Sequence, residues 1–154
     1  MRRIFVFLAI LFVASSACAQ QRTDAFAKFG AGKLAIESAK GKHAFNIEIA
    51  RTPDQQRQGL MWRRKLAPDA GMLFIYDMEM PVSMWMSNTL IPLDMLFIAG
   101  DGKIVHIAQR TVPKSEEIIS PGRPVQYVLE LNGGTASRLG IKPGDKVAYT
   151  ELGK

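Results

Sequence analysis

The chain has 154 residues, a formal net charge of +6 and a single cysteine, Cys18. Its basic residues are dispersed apart from Arg63-Arg64-Lys65, so the charge is not the concentrated stripe that nucleic-acid binding requires. One cysteine excludes an internal disulfide framework and any site built from several thiolates.

Arg2 and Arg3 precede an apolar run over residues 4–13, followed by the small residues Ser15, Ser16, Ala17, Cys18 and Ala19. This is the pattern of a secretory signal peptide with Ala17-Cys18-Ala19 as its cleavage site, and the run is too short to span a bilayer. The expected organisation is a signal peptide over 1–19, a linker or arm over 20–32, and one domain over 33–154. The mature chain is then exported, periplasmic or secreted, with no integral membrane segment and no cysteine. Lipid anchoring at Cys18 is the competing reading, against which Ser15 stands where a lipobox has a large aliphatic residue.

Within the domain, residues 33–38 and 43–50 read as strands. Phe45, Ile47 and Ile49 alternate with Asn46 and Glu48, the period of a half-buried strand. Thr52-Pro53-Asp54-Gln55 opens a short helix as a capping box with proline in the first turn, and Gly59 ends it. Residues 71–76 and 82–87 are further strands. Gly100-Asp101-Gly102 joins strands over 93–99 and 103–110 as a hairpin, because the turn needs positive φ. A strand over 125–131, a second short helix over 134–139 stopped at Gly140, a turn over 142–145 and a closing strand over 146–151 complete the chain. The sum is a mainly β (β-rich α+β) domain, a small barrel or rolled antiparallel or mixed sheet of about eight strands with two short helices. Strands and helices do not alternate, which argues against a doubly wound parallel sheet.

Several linked motifs occur in one order: Arg57-Gln58-Gly59-Leu60-Met61 with Arg63, Gly71-Met72-Leu73-Phe74, the block Trp85-Met86-Ser87-Asn88-Thr89-Leu90-Ile91-Pro92-Leu93-Asp94, Tyr127-Val128-Leu129-Glu130, and Gly144-Asp145. Together they resemble the bacterial and archaeal family named domain of unknown function 192, over roughly residues 44–149. The resemblance implies a compact, β-rich and often exported domain, with no agreed activity, cofactor or substrate. This chain departs from the family block at Met84, where an aromatic is usual, and at Ser87, where a lysine is usual. The second departure puts an anion-binding role for that position in doubt.

Asp94 lies in an apolar run that reads as a central strand, where aspartate is depleted. It is either a general acid/base or ligand-binding carboxylate, or a buried carboxylate bonded to backbone N–H groups, Arg57 or Arg63. Glu130 is its candidate partner in a two-carboxylate arrangement of the glycoside-hydrolase kind. The competing reading puts Glu130 on a solvated strand face. Asn88 and Thr89 are turn formers that also suit a pocket rim. Trp85 falls on the odd face of residues 82–87, between two serines, as a stacking platform or as core. Met78, Met80, Met84 and Met86 cluster in sequence, and soft thioethers suit Cu(I); adaptable core packing is the bland alternative. His43 and His106 fall in separate strands.

Three functions follow. The first is a non-catalytic binding module, a monomer without cofactor, that holds a small polar molecule or cell-envelope glycan with Trp85, Asn88, Thr89, Asp94 and Arg63. The second is a hydrolase or lyase of an envelope polymer using Asp94 and Glu130. The third is a Cu(I)-binding protein using Met80, Met84 and Met86.

Overall fold

The structure, a computed structural model, describes residues 26–151. The expected signal peptide, the Cys18 alternative and the first part of the expected arm lie outside them. Seven strands and two short helices follow in chain order: β1 (Gly30–Ser38), β2 (Gly41–Ala50), α1 (Pro53–Gln58), β3 (Ala70–Met80), β4 (Leu93–Ile98), β5 (Ile104–Ala108), β6 (Val125–Asn132), α2 (Thr135–Leu139) and β7 (Lys146–Glu151). They form one sheet in the order β5-β4-β6-β3-β2-β1-β7. Among the described strands only β2 and β3 pair in parallel, with α1 in the connection between them.

The sheet rolls into a half-barrel. Its edge strands approach at one point, the bridge Lys103–Lys146, flanked by Ile104 N donating to Asp145 O and Val147 N to Gly102 O, both at 2.9 Å. The concave side holds one core that includes Leu34, Ile36, Phe45, Ile47, Leu73, Leu96, Leu129 and Leu131. The convex side holds a second, with Met72, Phe74, Met95, Phe97 and Val128 under Leu60, Val82 and Met86 from the connecting segments. Both faces of β3, β4 and β6 are therefore covered. That explains why all six residues of β4 are buried and, Asp94 apart, read as an apolar run rather than an alternating one.

Helix α1 forms as its capping box predicts. Thr52 Oγ1 accepts from Gln55 N at 3.3 Å, Gln55 Oε1 accepts from Thr52 N at 2.9 Å, and Gly59 ends the helix at φ 48°. The turn at Gly102 has φ 83°, the positive value the Asp-Gly pair anticipates.

Strand β3 runs on to Met80, past the expected end at residue 76, and β5 is shorter than the expected 103–110. Two further differences concern β1 and residues 82–87. Strand β1 starts at Gly30, inside the expected arm, because Gly30, Ala31 and Gly32 pair with Ile49, Glu48 and Ile47 of β2. The expected strand over 82–87 does not join the sheet. It crosses the convex face as cover, with a single bridge from Met84 to Ile119. Pro81, which has no N–H to give a ladder, separates it from β3. Its alternation survives nonetheless: Val82 and Met86 are buried, while Ser83 and Trp85 are exposed.

Candidate functional site

Asp94 is fully buried at the N-terminal end of β4, on the concave side. Its Oδ1 accepts from Arg110 N at 2.8 Å and Gly134 N at 2.9 Å, and its Oδ2 accepts from Ala136 N at 2.8 Å. Three backbone donors, two of them at the start of α2, thus hold one carboxylate. Neither Arg57 nor Arg63 reaches it. Arg57 pairs with Asp54, and Arg63 forms a two-pronged bridge to Glu48, at 2.5 and 2.7 Å, while lying 5.8 Å from the centre of the Phe29 ring. The hydrogen bonds that Arg63 donates to Glu48 are the main cause that raises its pKa.

Glu130 does not join Asp94. In the β4–β6 ladder Asp94 pairs with Leu131 and Met95 with Glu130. Adjacent strand residues point to opposite faces, so Glu130 projects to the convex side and Asp94 to the concave side. The two carboxyls share no cleft, and the acid/base pair expected from the sequence is not assembled. Nor is Glu130 on a solvated face. It is 4% exposed, between Met72 and Met95. Burial pushes its carboxyl up to about 8. Burial likewise pushes the nearby Tyr76 hydroxyl up to about 12, helped by the Glu130 charge.

The remaining sequence candidates lie on the convex side and at its rim. Thr89 is buried and serves the turn: its N donates to Met86 O, its carbonyl accepts from Lys114 N, and its hydroxyl donates to Ser87 O at 3.4 Å. Asn88 is exposed at φ 56°. Trp85 is 48% exposed, so the core reading of this indole fails. The methionines do not behave as a group. Met78 and Met80 are exposed at the end of β3, and Met84 accepts from the Tyr76 hydroxyl at 3.9 Å. Met86 is fully buried and accepts from the Thr111 hydroxyl at 3.1 Å. The Met80, Met84 and Met86 set is therefore split between solvent and core. The histidines also stay apart, His43 on the Ser38 hydroxyl at 3.0 Å and His106 against the Phe97 ring.

Trp62 is the surface residue that sequence reasoning passed over. It is 55% exposed and sits at φ 66°, a conformation that bulky side chains rarely adopt. Its N–H donates to Asn88 O at 2.9 Å, and Asn88 Nδ2 lies 3.9 Å from Met61 Sδ. This ties the segment carrying Trp62 to the one carrying Trp85 and Asn88. A surface groove of about 730 Å³ opens beside it, lined by Phe26, Lys28, Gln55, Gln58, Met61 and Trp62 among others. Its walls are fixed by two short contacts, Ala27 N to Gln58 Oε1 and Gln55 Nε2 to Lys28 O, both 2.6 Å. An aromatic just past a glycine helix stop was the only signal in the sequence.

The model of the DUF192 family ("Uncharacterized ACR") matches residues 35–149. Curated proteins give no match. Similar solved structures include two crystal structures. One, from Sinorhizobium meliloti 1021 and provisionally named a transcription regulator, is 49% identical with a TM-score of 0.78, over 82% of this chain and 98% of its own. Another, a protein of unknown function from Novosphingobium aromaticivorans DSM 12444, is 39% identical with a TM-score of 0.74, over 79% of this chain and 92% of its own. With these motifs in order, this family match over most of the domain and this shared fold, the chain belongs to the DUF192 family.

Proposed function

We propose that the protein is an exported, non-catalytic binding module for a small polar molecule or cell-envelope glycan, held on the surface around Trp62, Trp85 and Asn88. The observation that carries this reading is Trp62, which is exposed and left-handed at once. Holding a non-glycine residue there costs about 1–2 kcal/mol, and exposing an indole forgoes the burial it would otherwise gain. Strain of this kind concentrates at binding sites. The Trp62 indole and the Gln58 side chain line one groove, and an indole face beside an amide suits a sugar ring, with an apolar face to stack and hydroxyls to bond. Against catalysis stands Asp94, whose oxygens are occupied by backbone donors and which faces away from Glu130.

Tryptophan fluorescence titrated with peptidoglycan fragments and neutral oligosaccharides tests the reading, alongside co-sedimentation with cell-wall sacculi. Saturable quenching in the wild type, lost in Trp62→Ala and Trp85→Ala variants of unchanged circular dichroism, is the expected result. Absence of any saturable signal and of sacculus retention defeats it.

A further inference from the structure

One row of side chains crosses the convex face through direct register partners: Glu48 on β2, Met72 on β3, Glu130 on β6, Met95 on β4 and Ala108 on β5. Met72–Glu130 and Glu130–Met95 are opposite pairs on antiparallel strands. Their neighbouring Cβ atoms are thus about 5 Å apart, and the two methionines roughly 10 Å apart across β6. Two flexible thioethers flank one carboxylate.

Met72 and Met95 are sealed from solvent at 0% exposure, and Glu130 keeps 4%. Around them are apolar and sulfur-bearing side chains, including Met86, Leu66 and Ile91 from the covering segments, and Tyr76, whose hydroxyl donates to Met84 Sδ. Glu130 has no hydrogen-bond partner among the described residues, and burial alone accounts for its shifted carboxyl. Buried carboxylates otherwise find donors, as Asp94 finds three in this same chain.

We propose that Met72, Glu130 and Met95 form a binding site for a soft monovalent cation of the Cu(I) class. Thioether sulfur selects soft ions. The described residues hold no group of three histidine, cysteine, aspartate or glutamate side chains, the donor sets that zinc, calcium or magnesium would use. Charge selects the monovalent ion. Thioethers are neutral and the carboxylate carries one negative charge, so a monovalent cation leaves the apolar cluster neutral, whereas a divalent one buries a net charge. The site differs from the contiguous set Met80, Met84 and Met86. Two of its donors are 58 residues apart in the chain (Met72 and Glu130), brought together only by the β3–β6 ladder. It is independent of the Trp62 surface.

The test uses the full domain, anaerobically, with Cu(I) delivered from a competing chromogenic chelator and with Ag(I) as a redox-inert probe. Carbon-13 labelling of the methionine methyl groups reports which sulfurs respond. One equivalent is expected to bind, shifting the Met72 and Met95 methyl resonances and leaving those of Met78 and Met80 in place. Met95→Leu and Glu130→Gln, with circular dichroism unchanged, are expected to weaken binding on the order of tenfold or more. Three results overturn the proposal: no binding tighter than about 1 μM, methyl shifts confined to Met78 and Met80, or full affinity in a folded Met72→Leu/Met95→Leu double variant. Should a variant fail to fold, the wild-type methyl shifts decide alone.

Discussion

Glu130→Gln is the substitution whose effect follows most directly from the structure. The native state holds the Glu130 proton until about pH 8, against an ordinary value of 4.5. Below pH 4.5 both folded and unfolded chains are protonated and the group takes nothing from stability. Between these two values the unfolded chain has released its proton and the folded chain has not, so stability falls as pH rises. Above pH 8 both are ionised and the loss levels off. At about 1.4 kcal/mol per pKa unit, the full loss is on the order of 5 kcal/mol, a large share of a small domain's stability. Glutamine has the same shape and no charge at any pH, so it removes the slope. Its buried amide adds a cost of about 1–3 kcal/mol that does not vary with pH. Urea unfolding of metal-free protein at roughly pH 5 and pH 9, wild type against variant, measures the effect. The variant is expected to gain about 4 kcal/mol on the wild type between those two conditions. Parallel stability profiles across this range would show that Glu130 is hydrogen-bonded or solvated in the native state, and the reasoning would fail.

Asp94→Asn replaces an acceptor for three N–H groups with an amide that offers one acceptor atom. A loss of about 3 kcal/mol by chemical denaturation is expected, because buried donors are left unpaired, while ligand affinity per folded molecule stays unchanged. Loss of affinity without loss of stability would restore a direct functional role. At Trp62, glycine accepts φ 66° at no steric cost. Trp62→Gly should therefore be about 1 kcal/mol more stable than Trp62→Ala, with both deficient in ligand binding. The reverse stability order would mean that the left-handed backbone is not kept. Thr52→Ala removes the α1 cap and should lower stability by about 1 kcal/mol. A thermal melt within error of wild type would show that the helix is held by its packing alone.

Much of the fold was legible because its signals are local. The capping box at Thr52 and Gln55, the Asp101-Gly102 turn and the period-two alternation of Phe45, Ile47 and Ile49 each act within a few residues. Residues 82–87 show where this stops. Their alternation is real, but whether an extended segment joins a sheet or lies over one depends on which edges are free. Here β3 is already flanked by β2 and β6. The candidate site was legible in part. Asn88 and Trp85 were found because polar and aromatic groups stood out in an apolar block. Trp62 was not, because its backbone is tied by a hydrogen bond to Asn88, 26 positions along the chain, a contact no local pattern signals.

The sequence by itself determined the family, the β-rich class, the helix and hairpin boundaries and the set of residues that need explaining. Tertiary structure alone decided which of those residues meet. Strand period assigns a side chain to one of two faces, but only the pairing between strands says which face of β4 matches which face of β6. That register sends Asp94 and Glu130 to opposite sides of the sheet and sets Glu130 between Met72 and Met95. A shift of one residue in the β4–β6 ladder would bring the two carboxyls to one side, and a shift in the β3–β6 ladder would take Met72 off the Glu130 face, because each successive side chain points the other way.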